Sequence, residues 1–264
     1  MLMELYGLLD DFPILILFVA TIVIAMLSYE GGFRAGRWRS RRPEREEEVV
    51  VRSMVGTMLG LLTFILAFTF WIAATHFEAA RQSLLTQANA IRTAYLRADL
   101  LPEPHRMEIR DLLRQYIDVR LDAYQSGNFK PVFPRSEELH SQLWSQAIAA
   151  REKTSSPIFA GYFIQSLNDV IALHTRQVTV RQEFRIPNTI WVVIYVMMTL
   201  ATASIGCHGG LTEASRPLVA VAFVLIISAV MTLIADLDRP RKGSLRVSQQ
   251  ALIDLRNSMS APNR

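Results

Sequence analysis

The stretch from Ser53 to Thr75 reads SMVGTMLGLLTFILAFTFWIAAT and contains no Asp, Glu, Lys or Arg in its 23 residues. A helix of that length spans about 35 Å, which exceeds the roughly 30 Å of hydrocarbon in a bilayer. The chain has three further uncharged runs, at Phe12–Tyr29, Ile186–Thr212 and Pro217–Ala235. The sequence therefore predicts an all-α membrane protein with four transmembrane helices.

Composition agrees with this fold class. Hydrophobic residues make up 51% of the chain, charged residues 20%, and the mean hydropathy is +0.22, values that exclude a secreted soluble enzyme. The single cysteine, Cys207, excludes an intramolecular disulfide framework and a cysteine-based zinc site. Because the chain begins with Glu4, Asp10 and Asp11 and not with a basic segment, we expect the first run to be a retained helix.

The net charge of +4 and the pI near 9.4 do not indicate a nucleic-acid-binding patch. The basic residues are dispersed, and seven arginines lie between the first two apolar runs, at positions 34, 37, 39, 41, 42, 45 and 52. Arginines beside a membrane span attract lipid headgroups. We therefore expect membrane lipids, and no nucleic acid, among the partners.

The one long segment outside the apolar runs separates the second run from the third, and it has a helical pattern. We expect the second helix to continue past the membrane until Pro102-Glu103-Pro104, and a new helix to run from His105 to Ser126. Ser136 is predicted to cap the next helix, and Pro157 to begin another that leads into the third span. Four regions follow: 1–75 (first two transmembrane helices with a basic linker), 76–185 (helical extramembrane domain), 186–235 (third and fourth transmembrane helices) and 236–264 (C-terminal tail).

The segment from Gly206 to Gly210 reads GCHGG, near the end of the third apolar run. Glycines favour turns. We predict a tight turn here between the third and fourth helices, with Cys207 and His208 at the membrane interface.

Motifs that carry enzymatic chemistry are absent from the sequence. It has no H-E-x-x-H zinc motif, no phosphate-binding loop and no nucleophile elbow, and its five histidines are scattered. We expect no enzyme activity and no cofactor.

One face of the second apolar run carries Gly56, Gly60, Phe64 and Phe68 at intervals of four residues. Two glycines at this spacing allow close packing of helices. Two phenylalanines, repeated by symmetry around an axis, would form stacked apolar rings of the kind that gate ions by excluding water. The spacing alone leaves open that this face only packs against lipid or neighbouring helices.

The same run resembles the neck of the bestrophin channels. Thr63–Phe70, TFILAFTF, is similar to the family's SFVLGFYV segment. Further along, Ala79-Ala80-Arg81, then Asn89 eight residues after Arg81, then Ile91-Arg92-Thr93 are similar to a bacterial bestrophin pattern of E-A-R, Asn and S-R-T.

The resemblance extends past the last span. Asp236-Leu237-Asp238-Arg239-Pro240, with Gly243, is similar to the family's acidic D-P-F-G turn. The same segment, together with Leu100-Leu101-Pro102-Glu103-Pro104, resembles a bacterial group described as bestrophin-like, and the order of elements agrees over nearly the whole chain.

This resemblance implies a homopentamer in the bacterial inner (plasma) membrane, in which the second helices line a central pore. Phe64 and Phe68 would form its neck. Gly60 stands where the family has a bulkier apolar residue, and Ile72, one turn past Phe68, would supply a further ring. The helical domain would form a cytoplasmic vestibule, with both termini cytoplasmic, although the arginine-rich first linker favours the opposite orientation.

Three basic residues follow this neck. His76 lies two turns past Phe68 and would ring the pore exit, or else anchor the helix at the interface. Arg81 and Arg92 match positions in the resemblance and would attract anions. Their alternative role is to pair with Glu78 or Asp99 and brace the helical domain.

Asp236 and Asp238 follow the last span, where animal bestrophins hold calcium with an acidic cluster. Calcium needs several oxygen ligands, and the two acids are followed by Arg239, Arg241 and Lys242. We predict a salt-bridged turn at a helix end, and a calcium site at Asp236 and Asp238 is the alternative.

The leading functional hypothesis is an oligomeric channel that passes inorganic ions passively, with anions such as chloride favoured because of the matching arginines. The alternative is a non-conducting membrane scaffold or signalling subunit that binds a partner through the helical domain. A transporter would be favoured by inverted repeats and by a charged residue at the membrane midplane, and the sequence has neither.

Overall fold

The regular structure of the protein is helical throughout the described residues. A computed structural model describes residues 13–39, 45–126, 132–154, 157–183, 186–212, 217–239 and 245–260. Their eight helices are α1 (Ile14–Arg39), α2 (Arg45–Ala98), α3 (His105–Ser126), α4 (Val132–Lys153), α5 (Pro157–Glu183), α6 (Asn188–Leu211), α7 (Pro217–Leu237) and α8 (Gln250–Ser260). The predicted all-α class is confirmed.

Four of these helices, α1, α2, α6 and α7, are long and apolar enough to cross a membrane. They correspond to the four uncharged runs, and Phe12, the predicted start of the first run, lies outside the described residues. α1 continues ten residues beyond Tyr29, so Arg34 and Arg37 lie on the helix and not in a linker. The helix of the third span, α6, begins at Asn188 and not at the predicted Ile186, because Ile186 and Pro187 are not helical.

The described residues form two compact units, one containing the chain up to Phe77 and from 186 to 245, the other containing Glu78 to 183 and 246 to 260. α2 thus contributes to both. The region predicted as a tail, 236–264, is divided between the units at Leu245. The predicted boundaries at 75, 185 and 235 stay predictions.

In the first unit, α1 and α6 pack backbone against backbone. A Cβ added at Gly32 would overlap the carbonyl oxygen of Ala203, and one added at Gly206 would lie 2.9 Å from the amide nitrogen of Phe33. Gly36 and Gly210 make equally close approaches. The prediction of a turn at Gly206–Gly210 was therefore wrong, because these residues lie inside α6. Gly206 and Gly210 instead allow the backbone of α1 to approach closely.

A hydroxyl pair joins the same two helices further along. Thr21 Oγ1 donates to the carbonyl oxygen of Leu17, at 2.8 Å, and therefore accepts the hydrogen bond from Tyr195 Oη, at 3.0 Å. The apolar core of the unit includes Leu62 and Leu66 of α2 and Met198 of α6. Glycine contacts, one hydroxyl pair and apolar packing hold this unit together.

The second unit is a helical bundle with its own core. α3 spans the predicted residues, and Ile109, Leu113 and Ile117 are fully buried along one stripe. The predicted cap at Ser136 was wrong, because α4 already begins at Val132 and Ser136 is buried inside it. Pro134 is accepted in the first turn of α4 because the first amides of a helix have no partner within it.

The C-terminal helix α8 docks on the second unit through its last turn. The carbonyl oxygen of Met259 accepts hydrogen bonds from Tyr95 Oη at 3.1 Å and from Arg114 Nη2 at 2.8 Å. A cation at a helix C-terminus is favoured by the helix dipole. Arg256 of α8 also lies 2.5 Å from a carboxylate oxygen of Asp118 on α3. These contacts fix a segment whose placement the sequence did not indicate.

Candidate functional site

The membrane-spanning part of α2 is buried along one face only. Leu62, Leu66, Thr69 and Ala73 are all buried inside the first unit. At about 100° per residue, these four positions fall within a sector of about 60° around the helix axis. This face therefore fixes how α2 is rotated within the first unit.

The opposite face of α2 presents large aromatic side chains that the described part of the chain leaves uncovered. Phe64 is 69% exposed, Phe68 55% and Trp71 63%. The rings of Phe68 and Trp71 lie 6.3 Å apart between centroids. Gly60 shares this face, and a Cβ added there would meet no atom within 4 Å. We call the surface formed by Gly60, Phe64, Phe68 and Trp71 the aromatic face.

Two predicted pore residues turn away from the aromatic face. Four residues advance a helix by about 40° more than one full turn, so a stripe at intervals of four drifts around the axis. Ile72 accordingly packs against the core of its own unit, and His76 is half-buried. Their roles in a pore stay predictions.

Trp71 is the residue that sequence reasoning missed. It follows Phe64 by seven residues, an interval that drifts by only about 20° on a helix. The seven-residue spacing was thus the signal that could have placed Trp71, in preference to Ile72, on the aromatic face.

Gly56 is exposed, and a Cβ added there would meet nothing within 4 Å. Close packing of Gly56 and Gly60 against another helix therefore has no counterpart within the described chain. Packing between separate copies stays a prediction.

The two arginines beyond the span differ in their surroundings. Arg81 Nη1 lies 3.5 Å from Glu78 Oε2 in an exposed ion pair, an arrangement that contributes little to stability. Asp99 is paired with Arg110 and not with Arg92. Arg92 is exposed and has no ion-pair partner among the described residues. Arg92 is thus the more available cation of the two.

Asp236, at the end of α7, and Asp238, just after it, each accept a hydrogen bond from a backbone amide. Asp236 Oδ2 accepts a hydrogen bond from the amide of Leu245 at 2.9 Å, and Asp238 Oδ1 accepts one from the amide of Ile186 at 3.1 Å. Calcium requires six to eight oxygen ligands, and no group of three metal-binding side chains occurs among the described residues. The observed contacts of the two acids are those of a structural turn, and a calcium site there stays a prediction.

Solved structures of two variants of one protein are similar to this chain. Both are crystal structures of a bacterial bestrophin homologue from Klebsiella pneumoniae, one with an isoleucine and one with a leucine replaced by threonine. The first has a TM-score of 0.62 at 14% identity and covers 93% of this chain and 98% of the homologue. The second has a TM-score of 0.65 at 12% identity and covers 93% and 97%. At such low identity the likeness establishes the fold.

No curated protein sequence matches this chain. A sequence profile of the bestrophin-like domain, however, matches residues 18–252, which is most of its length. The match includes α1 from its fifth residue, the other three apolar helices, and the helical domain between α2 and α6. The chain belongs to the bestrophin-like family.

Proposed function

We propose that the protein is a homo-oligomeric ion channel of the bacterial inner membrane, in which α2 of each copy lines a central pore. Membership of the bestrophin-like family and the fold shared with a bacterial bestrophin homologue support a channel. A pentamer is the assembly that the family resemblance implies. The helical domain and both termini lie in the cytoplasm on this proposal.

The aromatic face of α2 carries the proposal. Phe64, Phe68 and Trp71 are exposed on a helix whose opposite face is fully used in packing. Several copies around an axis would turn these side chains toward one another and form stacked apolar rings. Such rings exclude water from a narrow pore and thereby oppose the passage of ions. Phe64 and Phe68 are the proposed neck, with Trp71 beside them.

Anions are the proposed cargo, with chloride as the simplest case. The neck itself is uncharged, so selectivity has to come from charges near its ends. Arg92 supports anions because its guanidinium is exposed and has no acidic partner among the described residues. Arg81 adds less, since Glu78 offsets its charge.

A second candidate function is a non-conducting membrane scaffold. Exposed apolar side chains at the start of α5 favour it, because Ile158 is 66% exposed and Phe159 and Tyr162 are also exposed. Apolar patches outside the membrane often mark a protein contact. The stoichiometry in detergent separates the two candidates, since a monomer or dimer cannot enclose a pore with one helix per copy.

The test is a recording in planar bilayers under an asymmetric chloride salt gradient, with the native protein and the Phe64→Ala/Phe68→Ala variant. We expect the variant to conduct more than the native protein, because its neck is wider, and the reversal potential to lie on the anion side. Phe70→Ala is the matched control, because Phe70 lies on α2 about 160° around the axis from Phe68. It should leave conductance unchanged.

Silence of both proteins, with the oligomer intact, would reject the channel and favour the scaffold. A cation-side potential would reject only the proposed selectivity. If Phe70→Ala raised the conductance as much as Phe64→Ala/Phe68→Ala does, the aromatic face would not be the pore lining.

A further inference from the structure

Two histidines meet in the core of the helical domain. His140 of α4 and His174 of α5 are both more than nine-tenths buried, and their ring centroids lie 4.9 Å apart in an edge-on arrangement. His140 also packs on the ring of Tyr116 of α3, at 4.9 Å between centroids. The two imidazoles thus lie at a point where α3, α4 and α5 meet.

The hydrogen bonds around His174 fit its neutral form. Tyr116 Oη accepts a hydrogen bond from Gln87 Nε2 at 3.0 Å and lies 3.2 Å from His174 Nδ1. Arg120 Nη1 lies 3.4 Å from the same Nδ1. Burial raises the pKa of Tyr116, so the phenol keeps its proton. Since both neighbours are donors, Nδ1 is the acceptor and the proton of His174 resides on Nε2.

Among the described residues, the charged group that faces both histidines is a cation. Arg120 of α3 is itself buried, and its guanidinium lies 5.8 Å from the centre of the Tyr116 ring. α2 contributes the uncharged Gln87, and α4 and α5 contribute the two imidazoles themselves. No described acidic side chain contributes to the pKa of either histidine.

We propose that His140 and His174 form an acid-sensitive lock, in which uptake of a proton by either imidazole releases α4 and α5 from α3. A proton on His174 Nδ1 would replace an acceptor with a donor that faces the guanidinium of Arg120, which can only donate. A proton on His140 would place a second cation beside Arg120 in a site with little water. Either change weakens the packing of the three helices at this point.

The titration behaviour agrees with this geometry. Burial lowers the pKa of His140 to about 4, with a further lowering by Arg120. Burial also lowers the pKa of His174 to about 4, and His140 and Arg120 lower it further. Exposed histidine has a pKa of about 6.5. The open form, in which α4 and α5 are released and the histidines are exposed, therefore binds more protons than the closed form. The lock is weakened as the pH falls from about 6.5 through about 4.

Hydrogen–deuterium exchange of the full-length protein in detergent tests the lock, with rates corrected for the intrinsic effect of pH. Between pH 7 and pH 5 we expect the opening equilibrium of α4 and α5 to rise about 20-fold for each histidine exposed. The His140→Phe/His174→Asn variant should lose this dependence. Phenylalanine keeps the ring contact with Tyr116, and the asparagine oxygen can accept where Nδ1 does.

His105→Asn is the matched control, because His105 is also a buried histidine between α3 and α4 but is bonded to Gln146 Oε1 at 2.7 Å, away from Arg120. This variant should keep the full pH dependence of α4 and α5. If the double variant does not fold, the single variants should each remove about half of the dependence on a logarithmic scale. Unchanged exchange of native α4 and α5 between pH 7 and pH 5 would overturn the proposal. The measurement reads the helical domain alone and is independent of ion conduction.

Discussion

Three helices of this protein carry two glycines four residues apart, and the pairs differ in what they contact. Gly32 and Gly36 of α1 face Gly206 and Gly210 of α6, where a Cβ on any of the four would collide with the backbone of the other helix. The pair on α2, at positions 56 and 60, faces open space in the same chain. The same spacing thus serves close packing in one place and a bare surface in another.

The difference shows that a pair of glycines four residues apart allows close helix packing but does not determine whether a helix packs there. A glycine pair removes the side chains that keep two helices apart. Whether another helix packs on the glycines depends on which helix the tertiary structure places against that face. In α2 the buried face is the opposite one, which includes Leu62 and Ala73, so the glycine face remains for a pore or for another copy.

The largest expected effect is that of a methyl group in the α1–α6 contact. Gly206→Ala or Gly32→Ala should lower the free energy of unfolding by about 3 kcal/mol or more, because the clash is with backbone that no rotamer change relieves. Thermal unfolding and expression level measure this loss.

The neighbouring glycines provide the controls for that experiment. A Cβ at Gly31 would meet nothing within 4 Å, and one at Gly209 would make only ordinary contacts, at 3.8 Å, with side chains of Phe33 and Tyr29. Gly31→Ala should stabilise the helix slightly, by about 0.5–1 kcal/mol. If Gly32→Ala is tolerated as well as Gly31→Ala, the proposed contrast between the glycine pairs is wrong.

A smaller effect, on conductance, is expected from a large side chain in place of one of the two glycines of α2. Gly60→Leu should leave unfolding and stoichiometry unchanged but reduce conductance several-fold, because a third apolar ring would narrow the pore. Recording it in the Phe64→Ala/Phe68→Ala background prevents a closed native neck from hiding the change. Gly31→Leu serves as the matched control in another span. Loss of the oligomer in native mass spectrometry would show instead that Gly60 packs between copies.

The smallest effect concerns the hydroxyl pair that accompanies the α1–α6 glycines. Tyr195→Phe removes the hydrogen bond to Thr21 Oγ1 and should cost about 0.6 kcal/mol, the average for such bonds within membranes. Thr57→Val is a suitable control, since among the described residues the Thr57 hydroxyl bonds only the carbonyl of Ser53 in its own helix. A cost for Tyr195→Phe near that of Gly206→Ala would mean that the hydroxyl pair, and not the glycines, dominates the contact.

Much of the architecture could be predicted from local patterns. Uncharged runs identified all four spans, and the apolar spacing of α3 identified its buried stripe. The errors have local causes too: glycines at 206–210 were assigned to a turn, and Ser136 to a cap after Pro134. At 206–210 the turn tendency of glycine was outweighed by helix packing. At Pro134 the proline was tolerated because it lies in the first turn of α4.

The candidate pore surface was predicted in part for the same reason. Phe64 and Phe68 follow from an interval of four, but that interval drifts, so Ile72 lies against the core and Trp71 takes its place on the exposed face. An interval of seven from Phe64 would have added Trp71 to this face in place of Ile72. The rotation of α2 that decides between these sets is imposed by its buried face.

The sequence by itself determined the spans and their order, because crossing hydrocarbon requires about 20 uncharged residues whatever their neighbours are. It also determined the family, through patterns distributed over most of the chain. Only the tertiary structure decided which glycines touch, which aromatic residues stay exposed, and that His140 and His174 meet beside Arg120. These features join residues far apart in the chain, and their contacts depend on how helices are rotated and packed, which no local pattern encodes.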